Sequence, residues 1–220
     1  HCAAGGEASE SWWDGLSDAR RAEILSGTRD ESSRPRSRSP WPPGAVLERF
    51  SDLPKFARRE VERWGFSPAW LERRYRVQWD GEGLVYPTAD AGSWARRAIH
   101  PWVTPKVRKI GKDGLAGYHL IKRGDVVVLT EGDKKAWSIP LPWVGVALIG
   151  VHMNVYQREL LLMNSPSKVL IMLDGGWERE AYKIKRNLPH AEVVTGLPFK
   201  QGPDDIPKRE LYELLLKEER

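Results

Sequence analysis

A single cysteine, Cys2, in 220 residues excludes an internal disulfide framework and fits a reducing, cytosolic setting. No apolar run approaches the roughly 20 residues that a membrane-spanning helix needs, so no membrane partner is expected. The opening stretch HCAAGGEASESWW lacks the apolar segment of a secretory signal, and it starts on His1 rather than Met, as a processed or trimmed product would. No GxxxxGK[ST] phosphate loop occurs, which excludes a P-loop nucleotide-hydrolysing module from this stretch. His1 and Cys2, followed by Gly5-Gly6, resemble the end of a zinc ribbon. A ribbon needs about four Cys/His ligands and only two are present, so zinc is not expected.

Positive charge and tryptophan are abundant. The formal net charge is +5, the pI is about 9.3, and there are 11 tryptophans. A basic balance favours an anionic partner, most simply nucleic acid. Indole rings can stack on bases, although most tryptophans serve packing. Residues 1–26 form an N-terminal segment in which Trp12–Ser26 has the spacing of a short helix. Residues 27–44 are rich in Pro, Ser, Gly and Arg without periodicity and read as a flexible basic linker.

Residues 45–124 carry the pattern of a small α+β unit. Pro54–Trp64 has helical spacing through Phe56, Val61 and Trp64, and Gly65 stops it. Ser67-Pro68 starts a second helix, with a cap and a proline at its first position. Tyr75–Trp79 alternates as a strand does. Gly83–Thr88 and Ser93–Ile99 read as a hairpin turning at Ala89–Gly92. From Arg96 to Arg123 there are eight Lys/Arg, including Arg97, Lys106, Arg108 and Lys109, against one acid, Asp113. Such a surface suits a phosphate backbone, with Trp102 and Tyr118 available to stack on bases. An ordinary solvated face is the plainer alternative.

From Asp125 the pattern changes. Val126–Thr130 is apolar without alternation, as in a strand buried on both faces of a parallel sheet. A helix over Lys134–Ile139, a strand over Val144–Ile149, a helix over Asn154–Asn164, a strand over Lys168–Leu173, a helix over Trp177–Leu188, a strand over Ala191–Thr195 and a helix over Pro207–Lys217 follow. Regular alternation of this kind implies a four-stranded, mostly parallel sheet flanked by helices. The expected organisation is an α/β domain over 125–220, preceded by the basic α+β subdomain over 45–124.

Acids stand at three strand ends: Glu131, Asp174, and the pair Asp204 and Asp205 in KQGPDD. In a parallel sheet these ends share one edge, where such sheets bind ligands. Converged carboxylates repel unless a cation neutralises them. Mg²⁺ or Mn²⁺ is the natural choice, because a hard divalent ion takes oxygen ligands and phosphates together.

The pieces VVLTEG, VALIGVHMNVYQ, VLIMLDGG and LPFKQGPDD, preceded by GFSPAWLERRY, GLVYPTADAGSWARRAI, Pro105-Lys106 and GYHL, lie in order over roughly residues 45–217. In this order the stretch resembles the TOPRIM fold and polymerase core of bacterial and phage primases. The resemblance implies that Glu131 is the family's catalytic glutamate, that Asp174 is the first aspartate of its Asp-x-Asp motif, and that Asp204 follows the proline of its Asp-Pro-Asp motif. Glu131, Asp174 and Asp204 would then be catalytic and, with Asp205, metal-ligating. Arg96, Arg97, Lys106, Arg108, Lys109 and Lys135 would hold nucleic acid or nucleotide.

Three departures stand out. Gly176 and Gly202 occupy places where the family has aspartates, and Lys135 stands four residues after Glu131 where another aspartate is common. The expected function is therefore a primase-like protein of phage or mobile-element replication. It would bind single-stranded DNA template and nucleoside triphosphates and, if active, make short RNA primers by Mg²⁺-dependent nucleotidyl transfer. A replicative helicase or other replisome protein would be its partner. The alternative is a catalytically degenerate TOPRIM module serving as a replication accessory or structural component. Bacterial or phage-infected host cytoplasm is the expected setting.

Overall fold

The computed structural model describes residues 53–89, 92–100 and 102–219. The helix expected over Trp12–Ser26, the linker over 27–44 and the tip of the Ala89–Gly92 turn lie outside them. Helix α1 (Lys55–Arg63) leads through Gly65 into α2 (Pro68–Tyr75), whose N-cap is Ser67. An antiparallel sheet follows: β1 (Gln78–Trp79), β2 (Gly83–Pro87), β3 (Trp94–Ala98) and β4 (Val107–Ile110), in that spatial order. Tyr75 belongs to the last turn of α2 rather than to a strand, because Arg76 takes a left-handed conformation (φ 54°) that ends the helix one residue later. Strand β4 had no sequence signature; its outward residues are charged and its burial slight, so pairing with β3 alone makes it a strand.

The second sheet matches its expected elements closely. Strands β5 (Val126–Thr130), β6 (Val144–Ala147), β7 (Lys168–Met172) and β8 (Ala191–Val193) are all parallel, in the order β6-β5-β7-β8. Helix α3 (Asp133–Ser138) joins β5 to β6. Helix α4 (Val155–Met163) carries the chain back across β5 to β7, α5 (Glu178–Lys185) leads to β8, and α6 (Lys208–Glu219) closes the chain. Alternation along each strand divides the core. Val127 and Leu129 pack with Leu160, Leu161, Ala181 and Ile184 on one face. Val128, Leu170 and Met172 pack with Leu211 and Leu215 on the other. Burial on both faces explains why β5 shows no polar alternation.

Helix α3 ties the two sheets together. Its Ala136 and Trp137 pack with Val61, Leu71, Tyr75 and Tyr86 from the antiparallel half. The Tyr75 hydroxyl donates to the Ala136 carbonyl at 2.8 Å, and burial pushes that hydroxyl up to a pKa of about 12. A capping box starts α4, with Asn154 and Gln157 exchanging hydrogen bonds. The buried Gln157 amide also donates to the carbonyls of Gly114 (2.8 Å) and Leu148 (2.9 Å), fixing the incoming chain against the end of β6. No described helix is long and apolar enough to cross a membrane.

Candidate functional site

The order β6-β5-β7-β8 reverses direction at β5. The chain leaves β5 toward β6, then crosses back to β7 on the other side. Open α/β sheets bind ligands in the crevice at such a reversal, beyond the carboxyl ends of the strands. Glu131 directly follows β5 and Asp174 lies just past β7, so both stand at this crevice. An open cleft of about 410 Å³ lies there, with Glu131, Lys135, Asp204 and, from β3, Arg97 on its walls.

Lys135 occupies the centre. Its ammonium hydrogen-bonds the Asp174 carboxylate and lies 3.5 Å from Glu131 Oε2. Lys134 Nζ lies 3.6 Å from Asp204 Oδ2 and 5.3 Å from the centre of the Trp64 ring. Burial alone would lower the Lys135 pKa, but the Asp174 hydrogen bond and the charges of Glu131, Asp174 and Asp204 outweigh it and raise it. Glu131 is shifted up, by burial and by the charge of Asp174, against the pull of Lys135. The ammonium is therefore firmly charged where the acids converge.

Asp205 points elsewhere: its Oδ2 accepts the Gly202 N–H at 2.9 Å and closes the loop. Among the described residues no three Asp, Glu, His or Cys side chains gather in a metal-ligating group. A divalent ion between Glu131 and Asp174 would share its place with the Lys135 ammonium, and two cations in contact there repel. The residues present thus do not fit Mg²⁺ or Mn²⁺ in this arrangement. Both glycines match that outcome. A Cβ at Gly202 would fall 2.7 Å from Asp174 Oδ1 and 2.7 Å from Lys135 Cε, so the missing side chain is what makes room for the lysine stem. Gly176 has a backbone conformation (φ +102°) that L side chains rarely adopt, so an aspartate there would be strained. Gly202→Ala is expected to push Lys135 off Asp174 and cost roughly 1–3 kcal/mol, the usual cost of overpacking, read as a lower denaturant midpoint.

The basic candidates separate by strand alternation. On β3, Arg97 faces the cleft and Arg96 the opposite side. Arg97 is not free for phosphate: its guanidinium forks onto Asp133, with Nε 2.6 Å from Oδ2. The Tyr86 hydroxyl donates to the same carboxylate, and the Lys134 N–H reaches it at 2.8 Å. Asp133 is fully buried. Burial would raise its pKa, but Arg97 and these donors hold it below the ordinary aspartate range. Burial, then the Asp133 charge, pushes Tyr86 up, so it stays a donor. Arg96 pairs with Asp80 (2.7 Å) and Glu82 (2.6 Å). Lys109 pairs with Asp113 at 2.7 Å. Lys106 and Arg108 are exposed beside Arg96, whereas Tyr118 packs against the core. Sequence reasoning missed Asp133, since an acid in the first turn of a helix is ordinary. It also missed Trp64, whose ring lies beside both Arg97 (5.9 Å) and Lys134 (5.3 Å).

Comparison with known proteins bears on this geometry. No family model matches the chain, and no curated protein does. Among solved structures, the primase fragment of the bacteriophage T7 primase-helicase protein superposes with a TM-score of 0.52 at 16% identity, over 72% of this chain and 73% of that one. The chain has a primase-type TOPRIM fold. A chain from the bacteriophage T7 lagging-strand assembly, in which DNA polymerase interacts with primase domains bound to an RNA/DNA hybrid and dTTP, agrees. Its TM-score is 0.52 at 19% identity, over 72% of this chain and 89% of that one. A zinc-binding and RNA polymerase fragment of the Aquifex aeolicus primase aligns at 23% identity and a TM-score of 0.49, over 64% of this chain and 42% of that one. On this primase-type scaffold, Glu131 and Asp204 line the cleft, and Lys135 links Glu131 to Asp174 beside it.

Proposed function

We propose that this chain is a primase-like nucleic-acid-binding module of phage or mobile-element replication, in which Lys135 holds the acidic centre in place of a divalent ion. One observation carries the reading: the Lys135 ammonium lies between Asp174 and Glu131, with Gly202 shaped to admit its stem. Single-stranded DNA is the expected ligand, on the basic side of the antiparallel sheet, and another replication protein such as a helicase is the expected partner. Phosphate contacts made by lysine and arginine give affinity that falls steeply with salt. Binding of a single-stranded oligonucleotide by the full chain is therefore expected to weaken with added KCl, to persist in EDTA, and to be weakened rather than strengthened by MgCl₂, which competes for the phosphates. Binding that requires Mg²⁺ would refute the proposal.

A second reading is an active primase. It is favoured by Asp174 Oδ1 and Asp204 Oδ1, which are buried and make no hydrogen bond among the described residues, and it requires the Lys135 ammonium to move off Glu131 and Asp174 before a divalent ion enters. The chain would then join ribonucleoside triphosphates on a single-stranded template. Primer synthesis with Mg²⁺ or Mn²⁺ separates the two. Labelled product abolished by Glu131→Gln supports the enzyme, and no product from any template supports the module.

A further inference from the structure

Beyond the end of β3, where α1 meets the β3–β4 connection, three rings stack. Phe56 of α1 lies parallel to His100, with centroids 5.1 Å apart and planes 12° apart. His100 in turn lies parallel to Trp102 at 4.5 Å and 18°. The ladder is not buried: Phe56 is 47% exposed and Trp102 75%. An indole left this open loses the hydrophobic gain that burial gives, so packing does not account for its position. Beside the ladder lies a cleft of about 330 Å³ lined by His100, Pro105, Arg96 and Arg108. Arg96 is held by Asp80 and Glu82. Arg108, paired directly across from it on the edge strand β4, faces solvent, as does Lys106.

We propose that this ring ladder is a base-stacking platform for single-stranded DNA, with Trp102 as its outermost ring and Arg108, across the adjoining cleft from His100, for the phosphate backbone. The proposal rests on the reading that the chain binds single-stranded DNA, and it names where the bases sit. A flat indole with one face taken by His100 offers its other face to a base, and stacking of this kind accepts any base. The ladder stiffens that indole, so little side-chain freedom is lost on binding. The cleft beside His100 is separate from the acidic one: His100, Arg96 and Arg108 line the first, and Arg97 lines the second.

The test uses the full chain and two labelled probes of equal length, oligodeoxythymidine and an abasic strand with the same backbone, followed by fluorescence anisotropy. Wild type should bind the base-bearing strand more tightly. Trp102→Ala should weaken that strand about 5- to 150-fold, the range for one lost stack, and leave the abasic strand unchanged. Trp102→Phe should recover most of the loss. The platform is overturned if Trp102→Ala binds both strands as wild type does, or if wild type does not distinguish them. If wild type binds neither strand, the DNA-binding reading fails and the platform with it.

Discussion

Lys135→Ala is expected to turn a chain indifferent to Mg²⁺ into one that binds it. Removing the ammonium leaves Glu131 and Asp174 side by side without a counter-charge, while nearby Asp204 keeps Lys134 at 3.6 Å and the charge of Arg97. Carboxylates held that way repel, and since Lys135, Asp174 and Glu131 are only partly buried, deleting the ammonium should cost less than the roughly 3–5 kcal/mol of a fully buried pair. The variant should therefore unfold at lower temperature than wild type in EDTA. Mg²⁺ that binds the folded variant and not the unfolded chain would restore stability by mass action, about 2.7 kcal/mol at 100 times its dissociation constant. Thermal unfolding in EDTA and in a series of MgCl₂ concentrations measures this, and calorimetric titration checks the binding directly. Wild type should show neither the stabilisation nor the binding heat. A wild-type midpoint that climbs with MgCl₂ would mean that Lys135 gives way to the metal, and a variant blind to Mg²⁺ would mean that the acids do not form a site.

Asp133→Asn should be the most damaging single substitution near the cleft. Asp133 is fully buried and receives the Arg97 fork, the Tyr86 hydroxyl and the Lys134 N–H. Asparagine keeps the size and loses the charge, leaving the Arg97 guanidinium, itself only 14% exposed, without its counter-ion. The expected cost is about 3–5 kcal/mol, which for a unit of this size lowers the melting temperature on the order of 10 °C. The pH dependence has a definite sign. The Asp133 pKa is lower folded than unfolded, so its contribution is fully present above the unfolded value of about 3.9 and is lost as pH falls through the folded value. The stability gap between wild type and Asp133→Asn should be widest at neutral pH and shrink in acid. Equal loss at pH 7 and pH 3 would show that Asp133 acts through shape and not charge.

These two residues mark what could be read in advance. Strand β5 was legible because Val126–Thr130 is buried on both faces and so carries no polar positions. The acids Glu131, Asp174 and Asp204 were legible because each follows a strand, and parallel strands end on one edge. Strand β4 was not, because its residues alternate no apolar side and its pairing with β3 comes from distant chain. Arg96 and Arg97 looked alike in sequence, and one step along a strand sent them to opposite faces of the sheet.

The chain order of strands and helices and the placement of acids after strands follow from local patterning, since hydrophobic period and turn residues act over a few positions. Which cation meets those acids does not. Lys135 is four residues from Glu131, a helical neighbour, but Asp174 is 39 residues away and Gly202 lies in another loop. Only the parallel register of β5 and β7 brings Asp174 beside Lys135, and only the absence of a Cβ at Gly202 gives the lysine stem its space. Long-range packing therefore turned a run of acids that suggests a metal site into one occupied by the protein's own ammonium.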